Sequence, residues 1–123
     1  MKRTDARELA FKKIYSRLFN VEESVDEVIE DDKDLSFVNQ ILSTFDEKQS
    51  EINEMISANL KGYTLSRVFK VDLAIIALAI VELHFIKETP KEVVINEAVE
   101  LAKKYSTEKS PRFINGVLAD IIK

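Results

Sequence analysis

Tyr105, Lys109, Arg112 and Phe113 bring two aromatic rings and two cations together within nine residues. That combination suits single-stranded RNA, whose bases stack on aromatic faces while cations follow the phosphate backbone. Ser110-Pro111 marks a helix start at the same place, and a helix N-terminus favours a phosphate. A second reading fits the same residues. Phe113 precedes Val117 by four, a helical spacing that would place it, with Tyr105, in a core. Spacing leaves both readings open. A further cluster stands at the N-terminus, where Lys2, Arg3 and Arg7 occupy the first two turns of a helical pattern and Arg3 and Arg7 share a face. Guanidinium forks match phosphate oxygens. Asp5 and Glu8 interrupt the cluster, so an ordinary charged helix face fits it equally well.

Enzyme chemistry finds little support. His84 is the only histidine and sits in the most apolar stretch, where packing or facing a groove is its expected role. The chain has no HExxH, no glycine-rich phosphate loop and no GxSxG. Carboxylate pairs abound between residues 22 and 34, but such a charge run reads as a solvated face. No catalytic residue, metal site or cofactor is expected. The chain has no cysteine, hence no disulfide or thiolate site, which fits a reducing cytoplasm. The longest apolar run, residues 73–81, is about half the ~20 residues a membrane span needs, and the N-terminus shows no signal-peptide core.

The formal net charge of −4 argues against nucleic acid only on average. Residues 1–17 carry six basic side chains against Asp5 and Glu8, and residues 103–113 carry four against Glu108. Residues 22–34 carry eight acids against Lys33. A surface so divided can hold a phosphate chain on one side.

The elements that position these residues read as helices throughout. Two glycines and two prolines in 123 residues are too few for an all-β chain, and one domain, residues 1–123, is expected. Ala6, Leu9, Ala10, Ile14 and Leu18 give the first helix an apolar face, with Thr4 or Asp5 as its cap. Val25, Val28 and Ile29 anchor a short helix, and residues 30–34 read as a solvated turn. A long helix follows over about residues 35–60, with Phe37, Val38, Ile41, Leu42, Phe45, Ile52, Met55 and Ile56 as its stripe. Ser43, Thr44 and Ser50 suggest a bend, and Gly62 a C-cap. Residues 65–69 form a short helix or turn. Residues 72–86 are apolar almost all round, as in the buried centre of a bundle. Within them Asp72 reads as a cap and Glu82 as an acid needing a partner, with Arg67 the nearest candidate. Thr89, Pro90 and Glu92 form a capping-box start. Asn96, Asn115 and Gly116 read as architectural, and close helix approach would explain Gly116.

Three segments together resemble the NusB family of bacterial transcription antitermination factors. They are RELAFKKIY (residues 7–15), LSRVFKVDLAIIALAIVEL (65–83) and, most strongly, TPKEVVINEAVELAKKYSTEKSPRFINGVL (89–118). The resemblance covers most of the chain, with the family's motif order and approximate spacing. It implies an all-α domain of about six to seven helices in two packed subdomains. It also implies pairing with the ribosomal protein NusE and binding of boxA-type single-stranded RNA in nascent ribosomal RNA transcripts. The setting would be the RNA polymerase elongation complex with other Nus factors. Carried over by position, RNA contacts fall at Lys2, Arg3, Arg7, Tyr15, Lys70, Tyr105, Lys109, Arg112 and Phe113, and Asp72 falls at the NusE-facing surface. Arg7 is thereby expected to be exposed, so that Arg7→Ala weakens binding without changing the fold. Thr4 and Asp5 stand where basic residues are common, and Lys109 where Asp or Asn is common. Low affinity for RNA alone follows as an expectation. A homodimer covering the RNA face, a detached module related to ribosomal RNA methyltransferases, and a helical adaptor without RNA binding are the alternatives.

Overall fold

The computed structural model describes residues 2–20 and 32–123. Helix α1 (Arg3–Phe19) buries Ala6, Leu9, Ala10, Phe11 and Ile14 along one face. Neither Thr4 nor Asp5 caps it. Lys2 holds the cap position, Asp5 reaches back to accept its backbone N–H at 3.4 Å, and Thr4 donates to Glu97 at 2.8 Å. The helix stops at Asn20, whose left-handed backbone (φ 53°) suits a short polar side chain.

Helix α2 (Asp32–Ala58) starts earlier than its apolar stripe. Residues 32–34 are helical rather than a solvated turn, and Asp34 is buried. The short helix expected around Val25, Val28 and Ile29 lies outside the described residues. The bend falls at Lys48 (φ −108°, ψ 16°), between the weak helix formers Thr44 and Ser50. It keeps Phe45, Ile52 and Ile56 all in the core, while Met55 is only partly buried. Gly62 does not cap α2. It lies beyond the helix end with φ +85°, a turn conformation that glycine adopts without strain.

A 3-10 turn (Leu65–Arg67) leads to helix α3 (Lys70–Ile80), in which every residue from Asp72 onward is buried. Its last turn widens into a π-helical segment (Val81–Ile86), closed by Lys87 in the left-handed region (φ 58°). The Lys87 N–H donates to the Glu82 carbonyl at 2.9 Å, a five-residue step that marks the widening. Helices α4 (Lys91–Tyr105) and α5 (Ser110–Ile121) form an antiparallel pair. The Thr89 capping box does not form. Pro90 takes the cap position, and its carbonyl accepts from Val93 and Val94. At α5 the cap residue is Lys109, with Ser110 and Pro111 inside the first turn. Gly116 faces open space, so close helix approach does not account for it.

α3 is the axis of the fold. α1 and α2 pack on it and on each other, and the α4–α5 pair packs on it as well, with α4 also meeting α1 and α5 meeting α2. A helix apolar on all sides has no other stable place in water. The described residues hold five α-helices with the 3-10 and π turns, fewer than the expected six to seven. None is long and apolar enough to cross a membrane.

Candidate nucleic-acid interface

Arg7 is the first correction. Only 5% exposed, it meets Glu82, itself 2% exposed, in a two-pronged ion pair. Nε to Oε2 is 2.8 Å and Nη2 to Oε1 is 3.0 Å. Nη2 also donates to Thr89 Oγ1 at 3.3 Å, and Nη1 lies 3.6 Å from Glu97. Glu82 therefore pairs with Arg7 and not with Arg67, which is exposed on the 3-10 turn. At 5% exposure Arg7 faces the interior rather than the surface where the sequence places it. Its work is to tie α1 to the π turn and to the start of α4. Lys2 and Arg3 do remain exposed, with Arg3 Cζ 4.1 Å above the Phe37 ring.

Four α1 residues, Glu8, Lys12, Tyr15 and Phe19, follow at steps of four, three and four, which places them on one face. Tyr105 packs against α1 through Phe11 at 5.3 Å, and its hydroxyl donates a short hydrogen bond to Glu8. Lys104 Nζ reaches both Glu8 oxygens at 2.9 and 3.0 Å, and Lys12 Nζ stands 3.8 Å away. The two ammonium groups lie 5.4 and 5.8 Å from the Tyr105 ring centroid, within range of its π face. Desolvation would raise the Glu8 carboxyl, but hydrogen bonds from Tyr105 and Lys104 outweigh it and hold the group below its ordinary range. The same contact raises Lys104, and burial with the nearby Glu8 carboxylate raises the Tyr105 hydroxyl. Further along, Tyr15 packs on Phe19 at 5.1 Å, and Lys70 Nζ sits 5.3 Å over Phe19. Tyr15, Lys70 and Tyr105 thus belong to one surface.

The turn between α4 and α5 is pinned from below by Asp72. Ser106 donates to Oδ1 and Ser110 donates to Oδ2 at 3.0 Å. Ser110 Oγ also accepts the Thr107 N–H at 3.2 Å. Asp72 is 5% exposed and does not cap α3, and its carboxylate anchors the turn. Above it opens a cleft of about 320 Å³ lined by Tyr63, Arg67, Phe69, Lys109 and Phe113. Phe113 is half-buried, with its ring 6.0 Å from Tyr63, so it is both a packed residue and a wall of the cleft. Phe69 is 52% exposed. Burial, with the charge of Asp72 behind it, raises the Tyr63 hydroxyl. Arg112 is exposed but lines another groove, between α4 and α5, with Ile95, Val99 and Asn115.

Sequence reasoning missed Glu8, Lys12, Lys104, Tyr63 and Phe69. The α1 spacing signals the first two, while Lys104 and Tyr63 join the surface only through the tertiary packing. His84 is exposed, with its ring edge-on to Phe85 at 5.1 Å, and faces a groove with Lys87 and Lys91. No cluster of His, Cys, Asp and Glu able to hold a metal occurs among the described residues.

Fold and surface together define a small all-helical protein with a mixed basic and aromatic face, the kind of surface that suits a polyanion. The chain belongs to the NusB family, whose model matches residues 4–123. It is 35% identical over 133 residues to the transcription antitermination protein NusB of Clostridium novyi (strain NT), covering 100% of this chain and 99% of that protein. The solved structure of T. maritima NusB matches with a TM-score of 0.88 at 34% identity, covering 98% of this chain and 90% of that one. A crystal structure of antitermination factors NusB and NusE in complex with dsRNA matches with a TM-score of 0.83 at 26% identity, covering 97% and 94%.

Proposed function

We propose that this chain is a transcription antitermination factor that pairs with NusE and binds boxA-type RNA in nascent transcripts, notably of ribosomal RNA operons. It acts by binding, without catalysis, in the bacterial cytoplasm, within the RNA polymerase elongation complex and its other Nus factors. The observation that carries the reading is the structural match, over 97% of this chain, to a NusB solved with NusE and dsRNA. Two features support it, the α1 face of Tyr15, Lys70 and Tyr105, where rings and cations meet, and the cleft walled by Lys109 and Phe113. Lys2, Arg3 and Arg112 are exposed cations outside that face. Asp72 serves the same function indirectly, by fixing the turn that carries Lys109.

Fluorescence anisotropy tests the reading. A boxA RNA and a scrambled control are titrated with this chain, with NusE, and with both. The pair should bind boxA more tightly than either protein alone and discriminate against the scramble. A pair that forms without RNA selectivity would make the chain a protein adaptor, and absence of both pair and RNA binding would withdraw the function.

A further inference from the structure

At the centre of the proposed RNA face stands a carboxylate. Glu8 takes the Tyr105 hydroxyl, both its oxygens meet Lys104, and Lys12 lies alongside. These groups are what a phosphate beside a ring-stacked nucleotide would engage: a hydroxyl donor and two ammonium groups around an aromatic ring. We propose that Glu8 is an internal stand-in for an RNA phosphate, which occupies Lys104 and the Tyr105 hydroxyl in the free protein and must yield them when RNA binds. The inference rests on the RNA-binding reading.

Three observations carry it. Glu8 places its carboxylate among Lys12, Lys104 and the Tyr105 ring, at the point of the surface where cations and an aromatic ring converge. Its partners are largely at the surface, Lys104 being 59% exposed, and exposed ion pairs of this kind are weak enough to exchange for a competing anion. The carboxylate also remains ionised under ordinary conditions, because the same partners hold it in its charged form. The consequence is selectivity by competition. A short or poorly placed anion gains nothing by displacing Glu8, whereas an RNA held elsewhere along the face brings its phosphate to Lys104 at high local concentration.

Glu8→Gln tests this. The amide still accepts from Tyr105 but releases the ammonium groups. RNA affinity of the folded protein, alone and with NusE, is measured by anisotropy across a salt series. Glu8→Gln should bind several-fold more tightly, and its log affinity should fall with log salt more steeply by ~0.7 for each added phosphate contact. The gain should disappear in the Glu8→Gln, Lys104→Met double variant. Glu51→Gln, which removes the same charge beside Lys48 on α2, controls for net charge and should not match the gain. Glu8→Ala, which removes the carboxylate outright and frees the same donors, should give a comparable gain and serves if Glu8→Gln fails to fold. RNA affinity unchanged or reduced in folded Glu8→Gln, or a gain that persists without Lys104, overturns the proposal while leaving RNA binding intact. Absence of RNA binding by every variant and by the wild type overturns the functional reading itself, and the proposal with it.

Discussion

Arg7 and Glu8 are neighbours in sequence and opposites in role, and their difference shows what a residue type alone can say. Both are charged and both fall in the same basic N-terminal segment, yet one points into the core and the other onto the surface. Arg7→Ala removes one partner of a buried pair and leaves Glu82 charged with no counter-ion beside it. Such a break costs ~3–5 kcal/mol. On a domain of this size the melting temperature should fall on the order of 10 °C, read by circular dichroism. A loss of RNA binding with unchanged melting would contradict the buried role. Glu8 adds a pH signature. Its folded-state value lies below the ordinary one near 4.5, so its stabilising contribution is complete above that value and is lost as pH falls through the folded one. The melting-temperature difference between wild type and Glu8→Gln should be steady near neutral pH and should shrink on acidification. A difference that grew on acidification would reverse the assignment. The sequence indicates that Glu82 needs a basic partner, but Arg67 is closer in the chain than Arg7. Only the packing of α1 against the π turn decides between them.

Elements were more legible than their ends. The stripe of α1, the long α2 and the apolar α3 follow from hydrophobic period, because burial repeats with the helix turn. Capping did not follow so simply, because side chains that can cap have other demands on them. Thr89 accepts from Arg7 instead of capping α4, and Ser110 is drawn beneath its turn by Asp72. The onset of α2 at Asp32 was hidden because charge alone resembles a turn. The Asp72 anchor gives a prediction that belongs to the element it holds. Asp72→Ala strips the acceptor from two inward-facing hydroxyls, a loss of ~1–3 kcal/mol. Amide exchange should accelerate at residues 106–110 before it does in the centre of α3. Unchanged exchange at that turn would mean that Asp72 does not hold it.

At the scale of the molecule, where charge lies matters more than how much of it there is. An overall −4 would repel RNA at long range if it were spread evenly. The fold instead gathers Lys12, Lys70 and Lys104 with Tyr15, Phe19 and Tyr105 onto one side of α1 and opens the Lys109 cleft beside Asp72. The basic ends of the chain were visible in the sequence. Their joining into one stripe was not, since it depends on α1 lying against the C-terminal half of α4. The measurable consequence is counterion release. If about five phosphates are engaged, log affinity for single-stranded RNA should fall against log salt with a slope of roughly −3 to −4. Lys109→Ala should reduce that slope by ~0.7 for its one contact, with little change in melting because the side chain is exposed. Arg7→Ala should leave the slope of the protein that remains folded unchanged, because Arg7 reaches no phosphate. A flat salt dependence in the wild type would mean that the stripe does not follow an RNA backbone, whatever the aromatic rings contribute.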